Sequence, residues 1–299
     1  MARLSRDDRG QFLLVGAFGI AVVLLVFAGV VNTVTFTESL ATQDATPESS
    51  ELTALQSDVR AGTDGLLARV NDDGVGYAAT VDRLDRGVGN WSRGVGRQYA
   101  QGATAVTVSL ADTARGSYVS QGTVRNLTNA TGTGDWTVAE NVSEVRRFRV
   151  RLDADSLASG NCTSGSCYEL HLDGGRWRLA VNRSAVVVET PAGVGQCPVT
   201  ADPVTIDVTG GTVDGRACQP LEYAAGVSAP YDIAFRNGTE AAGTYRLVVN
   251  DSVDTSDYDA SGEPSVSPAV YAAVVEVRYR SPGLTYANRL RVAGGEPDG

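Results

Sequence analysis

The longest apolar segment of the chain lies close to its N-terminus. An unbroken run of apolar or small residues extends from Phe12 to Val31, and no charged residue stands between Arg9 and Glu38. At 1.5 Å per residue, a helix of this length spans about 30 Å, which is the thickness of the hydrocarbon core of a bilayer. The pattern therefore predicts a transmembrane helix over residues 11–33.

Basic residues flank this segment on one side. Arg3, Arg6 and Arg9 precede it, whereas the next basic residue after it is Arg60. Because basic residues beside a membrane helix stay in the cytoplasm, we expect a single-pass protein with residues 1–10 in the cytoplasm and the residues after the helix outside the cell. A cleaved secretory signal is less suitable, since its apolar part is shorter and ends at a small-x-small site. The residues after Val31 offer no such site.

A helical pattern follows over residues 34–101. Apolar residues recur at steps of three and four, which places them on one helical stripe. The pattern predicts an extracellular helical stalk that is broken near Pro47 and weakened by Gly74 and Gly76. The stripe consists of Leu52, Leu55, Val59, Leu66 and Val70, and then of Tyr77, Val81, Leu84, Val88, Trp91, Val95 and Tyr99.

The pattern changes to that of strands over residues 102–299. Runs of β-branched and aromatic residues alternate with turn residues, and 148–152 and 275–279 alternate apolar with charged positions. With no helical pattern between the runs, we expect an antiparallel β-sandwich-like domain with a flexible C-terminal tail, and an α+β class overall. Turns are predicted at 173–175, 237–238 and 281–283. The predicted strands are Ala103–Leu110, Val145–Leu152, Tyr168–Leu172, Arg176–Val181, Ala185–Glu189, Val204–Val208, Tyr231–Arg236, Thr244–Val249, Val270–Tyr279 and Leu284–Val292.

The junction before the apolar run resembles the class III leader of archaeal type IV pilins. A short charged leader ends in Gly10, a polar Gln11 follows, and the apolar segment begins at once. The resemblance implies that a prepilin peptidase cuts between Gly10 and Gln11 and that the apolar helix is retained for assembly. The fifth mature residue, often Glu in that family, is Val15 here, which favours a minor pilin over a major filament subunit. A helical spine followed by a β head is also the order of elements in such pilins.

The charge balance indicates a salt-adapted protein. The chain has 35 acidic and 25 basic residues, a net charge of −10, and none of its basic residues is Lys. This composition resembles that of haloarchaeal proteins, and at about 1 M salt a Debye length of about 3 Å screens the repulsion. Nucleic acid is not an expected partner, since the sequence shows no basic stripe.

Four cysteines lie in the predicted extracellular part. An even number of cysteines in an oxidising compartment predicts disulfides. Four cysteines allow three pairings, and we favour Cys162–Cys167 and Cys197–Cys218, because each pair brackets a turn-rich segment. A zinc site is the alternative, but the spacing matches no common zinc motif and His171 is the only histidine.

Asn-x-Ser/Thr sequons are frequent beyond the apolar segment. Such sequons can carry N-linked glycans on a surface protein, although Asn, Ser and Thr also gather in loops for other reasons. The candidates are Asn90, Asn126, Asn129, Asn141, Asn161, Asn182, Asn237 and Asn250.

The sequence contains no recognisable catalytic motif. It has no nucleophile elbow, no phosphate-binding loop and no zinc-protease motif. His171 is interpreted as a polar-face residue of a strand. The acidic stretch 251–263 includes Asp257 and Asp259 at calcium-loop spacing, but Pro268 stands where the bidentate Glu is needed, so a solvated acidic loop is favoured. We expect no catalytic residue, cofactor or metal.

These features predict a non-enzymatic, pilin-like or pilus-associated protein of the cell surface. Its expected partners are membrane lipid, other pilin-like subunits and a prepilin peptidase. The alternative is an uncleaved single-pass envelope protein whose β domain binds a surface partner or ligand. A tethered surface enzyme is the third interpretation, and it would need a convergent polar cluster in a deep pocket.

Overall fold

The structure is a computed structural model, and it describes residues 47–71, 76–162 and 166–293. The predicted leader with Gly10 and Gln11, the transmembrane helix, the start of the stalk and the C-terminal tail lie outside the described residues. Among those described, no helix is both long enough and apolar enough to cross a membrane. The chain divides into two units, residues 1–56 and 57–299, and every described strand belongs to the second.

Two α-helices occupy the described part of the predicted stalk. They are α1, Pro47–Asn71, and α2, Tyr77–Ala100. Pro47 is the first residue of α1, and because the residues before it lie outside the described ranges, the predicted break near Pro47 stays a prediction. Proline is well tolerated there, since the first N–H groups of a helix have no intrahelical partner. Gly76, which was expected to weaken the helix, is the N-cap of α2.

Helix α2 packs on the first strand of the β domain. The strand begins at Ala105, and its Val108 N–H donates to the Ser92 hydroxyl of α2 at 2.8 Å. Gly96 allows this approach, since a Cβ at that position would lie 3.0 Å from the Val106 carbonyl oxygen. This glycine therefore costs helix propensity but permits close packing of helix on sheet.

Fourteen strands of the described chain form two antiparallel sheets. The eight-stranded sheet has the order β10-β9-β8-β3-β12-β1-β13-β14, and the six-stranded sheet has the order β2-β11-β4-β5-β6-β7. The strands are β1 Ala105–Asn126, β2 Trp136–Val142, β3 Val145–Leu152, β4 Tyr168–Leu172, β5 Trp177–Val181, β6 Ala185–Thr190, β7 Gly193–Pro198, β8 Val204–Asp207, β9 Thr212–Val213, β10 Arg216–Ala217, β11 Tyr231–Arg236, β12 Ala242–Val249, β13 Ser265–Arg280 and β14 Thr285–Val292.

The hydrophobic core lies between the two sheets. Phe148 and Tyr245 of the eight-stranded sheet and Phe235 and Trp177 of the six-stranded sheet are all buried there. The Phe235 ring contacts Tyr245 edge-to-face, with ring centroids 5.0 Å apart. The predicted α+β class with a β-sandwich-like domain is therefore confirmed.

Several details of the strand prediction are wrong. Strand β1 is 22 residues long and continues far beyond Leu110, because its second half pairs with both β12 and β13. Four strands, β2, β7, β9 and β10, were not predicted, since their polar and glycine residues resemble loop sequence. The turn at 237–238 does not close a hairpin, because β11 and β12 belong to different sheets.

Candidate functional site

Strand β3 presents a row of arginines on the outer side of the eight-stranded sheet. Phe148, Val150 and Leu152 point into the core, and the alternation of a strand turns the intervening side chains outward. These are Arg147, Arg149 and Arg151. The same alternation predicted charged residues outside, but it did not reveal their neighbours on the adjacent strands.

The neighbouring strand β12 adds a fourth arginine to this row. In the antiparallel register Arg246 lies opposite Arg149, and Thr244 lies opposite Arg151. Like charges directly opposite each other in a sheet are destabilising. We call the surface formed by Arg147, Arg149, Arg151 and Arg246 the arginine face.

Of the three arginines of β3, one is paired with a carboxylate of the described residues. Arg149 is paired with Asp207 of β8, whose Oδ2 accepts from the Arg149 Nε at 3.2 Å. Arg147 and Arg151 make no side-chain hydrogen bond or ion pair with any residue of the described ranges. In a chain of net charge −10, two such arginines on one face represent a local reversal of charge.

A cleft of about 710 Å³ runs over the arginine face. Its opposite wall comes from β1, where Gln121 is fully buried and Val124 is 66% exposed. The Gln121 Nε2 donates to the carbonyl oxygens of Gly243, at 2.8 Å, and Arg125, at 3.0 Å, which fixes the side chain in the wall. With its nitrogen so engaged, the Gln121 Oε1 has no hydrogen-bond partner among the described residues.

Acidic residues lie at one end of the cleft. Asp153 and Asp202 line it, and together with Asp155 they place carboxylate oxygens within 4.8 Å of one another. Two of these groups already support the local backbone: Asp153 Oδ1 accepts from the Asp155 N–H at 3.0 Å, and Asp202 Oδ1 accepts from the Ala154 N–H at 3.2 Å. This role in the turn accounts for their placement without a cation.

The chemistry that the cleft offers is recognition of anions. Guanidinium groups form charge-assisted, often bidentate, hydrogen bonds to carboxylate, sulfate and phosphate groups. Among the described residues, its lining contains neither histidine nor cysteine, and its hydroxyl groups belong to threonine and to the buried Tyr245. The cleft therefore provides charge and hydrogen bonds rather than an activated nucleophile.

His171 lies away from this cleft, on the six-stranded sheet. Its Nε2 lies 2.7 Å from Glu169 Oε2, and the other oxygen of Glu169 accepts from Arg178 at 2.7 Å. Arg178 also donates to Glu189 at 2.8 Å. Burial raises the pKa of Glu169, but the hydrogen bonds from Arg178 and His171 outweigh it and hold that pKa below its usual value. The network is an ion cluster that joins β4, β5 and β6, and His171 lies on a strand as the sequence predicts.

The acidic stretch does not form a calcium loop in the structure. Asp259 Oδ1 accepts from the backbone N–H groups of Ser261 and Gly262, at 2.9 and 3.0 Å. The hydrogen bond from Ser261 is the largest cause of the lowered pKa of Asp259. Asp257 accepts from the Asn129 amide at 2.7 Å. The carboxylates hold turns, and their metal-like spacing in the sequence follows from that.

Both disulfides of the structure have the pairing that the sequence favours. Cys162 is bonded to Cys167, and Cys197 is bonded to Cys218. The second bridge joins β7 at the edge of the six-stranded sheet to the loop after β10 of the other sheet. It therefore ties the two sheets together at one end of the sandwich.

The structure divides the sequons by exposure. Asn90, Asn126, Asn141 and Asn161 are exposed, Asn237 and Asn250 are half-buried, and Asn129 and Asn182 are buried. Three of the amide nitrogens that a glycan would occupy already donate hydrogen bonds: Asn129 to Asp257 Oδ1 at 2.7 Å, Asn182 to the Gly160 carbonyl at 3.1 Å and Asn237 to the Cys167 carbonyl at 2.9 Å. These three sequons are explained by their roles in loops.

Residues 6–126 match a protein family of unknown function, DUF7261. The match runs from the predicted leader through both described helices to the end of β1. No curated protein matches the chain, and no solved structure matches it.

Proposed function

We propose that the chain is a non-enzymatic, pilin-like subunit of an archaeal cell surface. Its leader is removed between Gly10 and Gln11, its apolar helix stays in the membrane or packs with other subunits, and its β domain is displayed outside. The observation that carries this proposal is the order of elements. Along the chain, an apolar segment of bilayer length precedes two described helices and then a disulfide-bonded antiparallel sandwich.

The two disulfides support display outside the cell. Disulfides persist in oxidising compartments and are rare in the cytoplasm. Packing of α2 on β1 makes the second half of the predicted stalk part of the same compact unit as the β domain, which fits the helix-then-head order of the proposed subunit.

Peptide mass spectrometry of the mature N-terminus tests this function. Membranes from a haloarchaeal host that expresses the chain should yield a protein that starts at Gln11. A Gly10→Phe variant should keep the leader, because a bulky residue would not fit where the peptidase accepts glycine. A wild-type start at Met1 or Ala2 would contradict the proposal.

The second candidate is an uncleaved envelope protein whose β domain binds a surface partner. Val15 at the position of the common pilin Glu favours it, and the arginine face supplies a surface for binding. An uncut N-terminus together with a retained apolar helix would select this function over the first.

A further inference from the structure

We propose that the arginine face binds an acidic polysaccharide, a linear chain of sugars that carry carboxylate or sulfate groups. The arginines of the face are arranged in a line along β3 and do not converge on one position. Side chains at alternate positions of a strand lie about 6.7 Å apart, so Arg147, Arg149 and Arg151 extend over about 13 Å, and the neighbouring strand lies about 5 Å away. Such an array matches several charges on one extended molecule better than a single small anion.

The charge of the row points to an anionic occupant. Arg147 and Arg151 make no ion pair within the described ranges, although the chain contains 35 acidic residues. Arg246 faces Arg149 across the strands. An anion bound at Arg147 and Arg151 would form charge-assisted hydrogen bonds with their guanidinium groups.

The other groups of the cleft fit sugar hydroxyls. Thr205 and Thr244 line the cleft, and their hydroxyl groups can exchange hydrogen bonds with the hydroxyl groups of a sugar. Asp153 and Asp202 line the same cleft and are acceptors too. Their carboxylate oxygens can accept hydrogen bonds from the hydroxyl groups of a sugar chain. The mixture of cations and acceptors therefore favours an acidic polysaccharide.

The absence of an exposed ring in the cleft argues against a single-stranded nucleic acid. Such strands bind by stacking bases on exposed aromatic side chains. The one aromatic residue in the lining is Tyr245, which is 1% exposed. Access to extracellular polysaccharide rests on the proposed function, since it needs the β domain outside the cell.

Binding to the full-length protein in a non-ionic detergent tests the proposal. The probes are heparin as a sulfated polysaccharide, polygalacturonate as a carboxylated one, neutral dextran, and a single-stranded DNA oligonucleotide. We expect heparin or polygalacturonate to bind, dextran not to bind, and the affinity to fall as NaCl rises from 0.2 to 2 M. R147Q/R151Q should weaken binding at least about tenfold, because it removes two charge-assisted contacts.

A matched control removes the same charge elsewhere. Arg69 of α1 and Arg86 of α2 are exposed and lie outside the cleft, so R69Q/R86Q should change the affinity less than twofold. Circular dichroism spectra establish that both double variants are folded. Equal losses in the two variants would show a net-charge effect and overturn the proposal.

Three further results would also overturn it. These are no binding of either acidic polysaccharide, tighter binding of the DNA than of both, and self-association that R147Q/R151Q abolishes without any polysaccharide binding. The last would make the arginine face an interface between copies. Because the N-terminus is read in a separate measurement, failure of this proposal is distinguishable from failure of the pilin-like function.

Discussion

Asn71 is expected to be essential for the stability of the β domain, and substitution by Ala tests this. The residue ends α1 and is 5% exposed. Its Nδ2 donates to the Val270 carbonyl at 2.9 Å, and its Oδ1 accepts from the Val270 N–H at 3.0 Å. The amide thus makes the two hydrogen bonds that a neighbouring strand would make with β13, at a point where the pairing of β13 with β1 is irregular.

The loss of stability expected for Asn71→Ala follows from the two backbone groups of Val270 that the substitution leaves without a hydrogen-bond partner. A buried N–H or C=O that loses its partner costs about 1–3 kcal/mol. With both groups of Val270 unpaired, the free energy of unfolding should fall by about 2–4 kcal/mol. For a unit of this size, 1 kcal/mol corresponds to about 2–4 °C in Tm, so Tm should fall by about 5–15 °C.

Thermal and urea unfolding of the full chain, followed by circular dichroism, measure this loss. Asn71→Asp should be about as destabilising, because a carboxylate cannot donate to the Val270 carbonyl and adds a buried charge. Asn90→Ala is the matched control, since Asn90 is exposed on α2 and its substitution should change stability by at most about 0.5 kcal/mol. A loss below about 0.5 kcal/mol for Asn71→Ala would refute the assigned role of the amide.

Three further predictions concern the disulfides, the ion cluster and the glycans. Replacing Cys197 and Cys218 together by Ser should lower the unfolding free energy by about 3 kcal/mol, as expected for a sequence separation of 21, and urea unfolding measures it. The pKa of Glu169 in the folded protein lies below its ordinary value of 4.5. The ionised carboxylate therefore contributes to the free energy of unfolding above pH 4.5, and this contribution is lost as the pH falls through the folded pKa. Glu169→Gln weakens the hydrogen bond to Arg178, so it should lower the free energy of unfolding by about 1–2 kcal/mol at pH 7. In an acid titration, the variant should also lose less stability than wild type below about pH 5. Glycopeptide mass spectrometry should find glycans at exposed sequons, and a glycan on the buried Asn129 or Asn182 would contradict the structure.

Periodicity alone predicted most of the sandwich. Three strands, β3, β4 and β11, have the predicted bounds, because each is short and crosses the core with clear alternation. Strand β1 was underestimated, since residues 111–117 are small or polar and their strand conformation comes from pairing with β13 rather than from their own propensity. The pairing between strands that are distant in the chain cannot be predicted from the sequence of one strand alone.

The candidate site was predictable only in part. The alternation of Arg147, Arg149 and Arg151 is visible in the sequence, but Arg246 is far away in the chain and joins them through strand order. Asn71 gave no signal, because a polar residue at a helix end is ordinarily a cap or a solvated side chain. Sequons, by contrast, are visible in the sequence, while their exposure depends on the fold.

The last prediction concerns the effect of the arginine face on the stability of the sheet. Arg147 and Arg151 lie opposite Val248 and Thr244, so neither has a like charge directly opposite, but both are diagonal to Arg246. Diagonal neighbours are within reach of long side chains, so we expect the repulsion to destabilise the sheet by at most the about 0.2–1 kcal/mol of a directly opposed pair. If the face exists for stability, R147Q/R151Q should unfold more easily than wild type at 0.2 M NaCl. If it exists for binding, the variant should be as stable or up to about 1 kcal/mol more stable, and the difference should vanish in 2 M NaCl as screening removes the repulsion. Such a gain in stability, combined with lost polysaccharide binding, is the signature of a surface kept for its ligand at a cost to the fold. Urea unfolding at the two salt concentrations measures it, and a less stable variant at low salt would show that the arginines support the sheet instead.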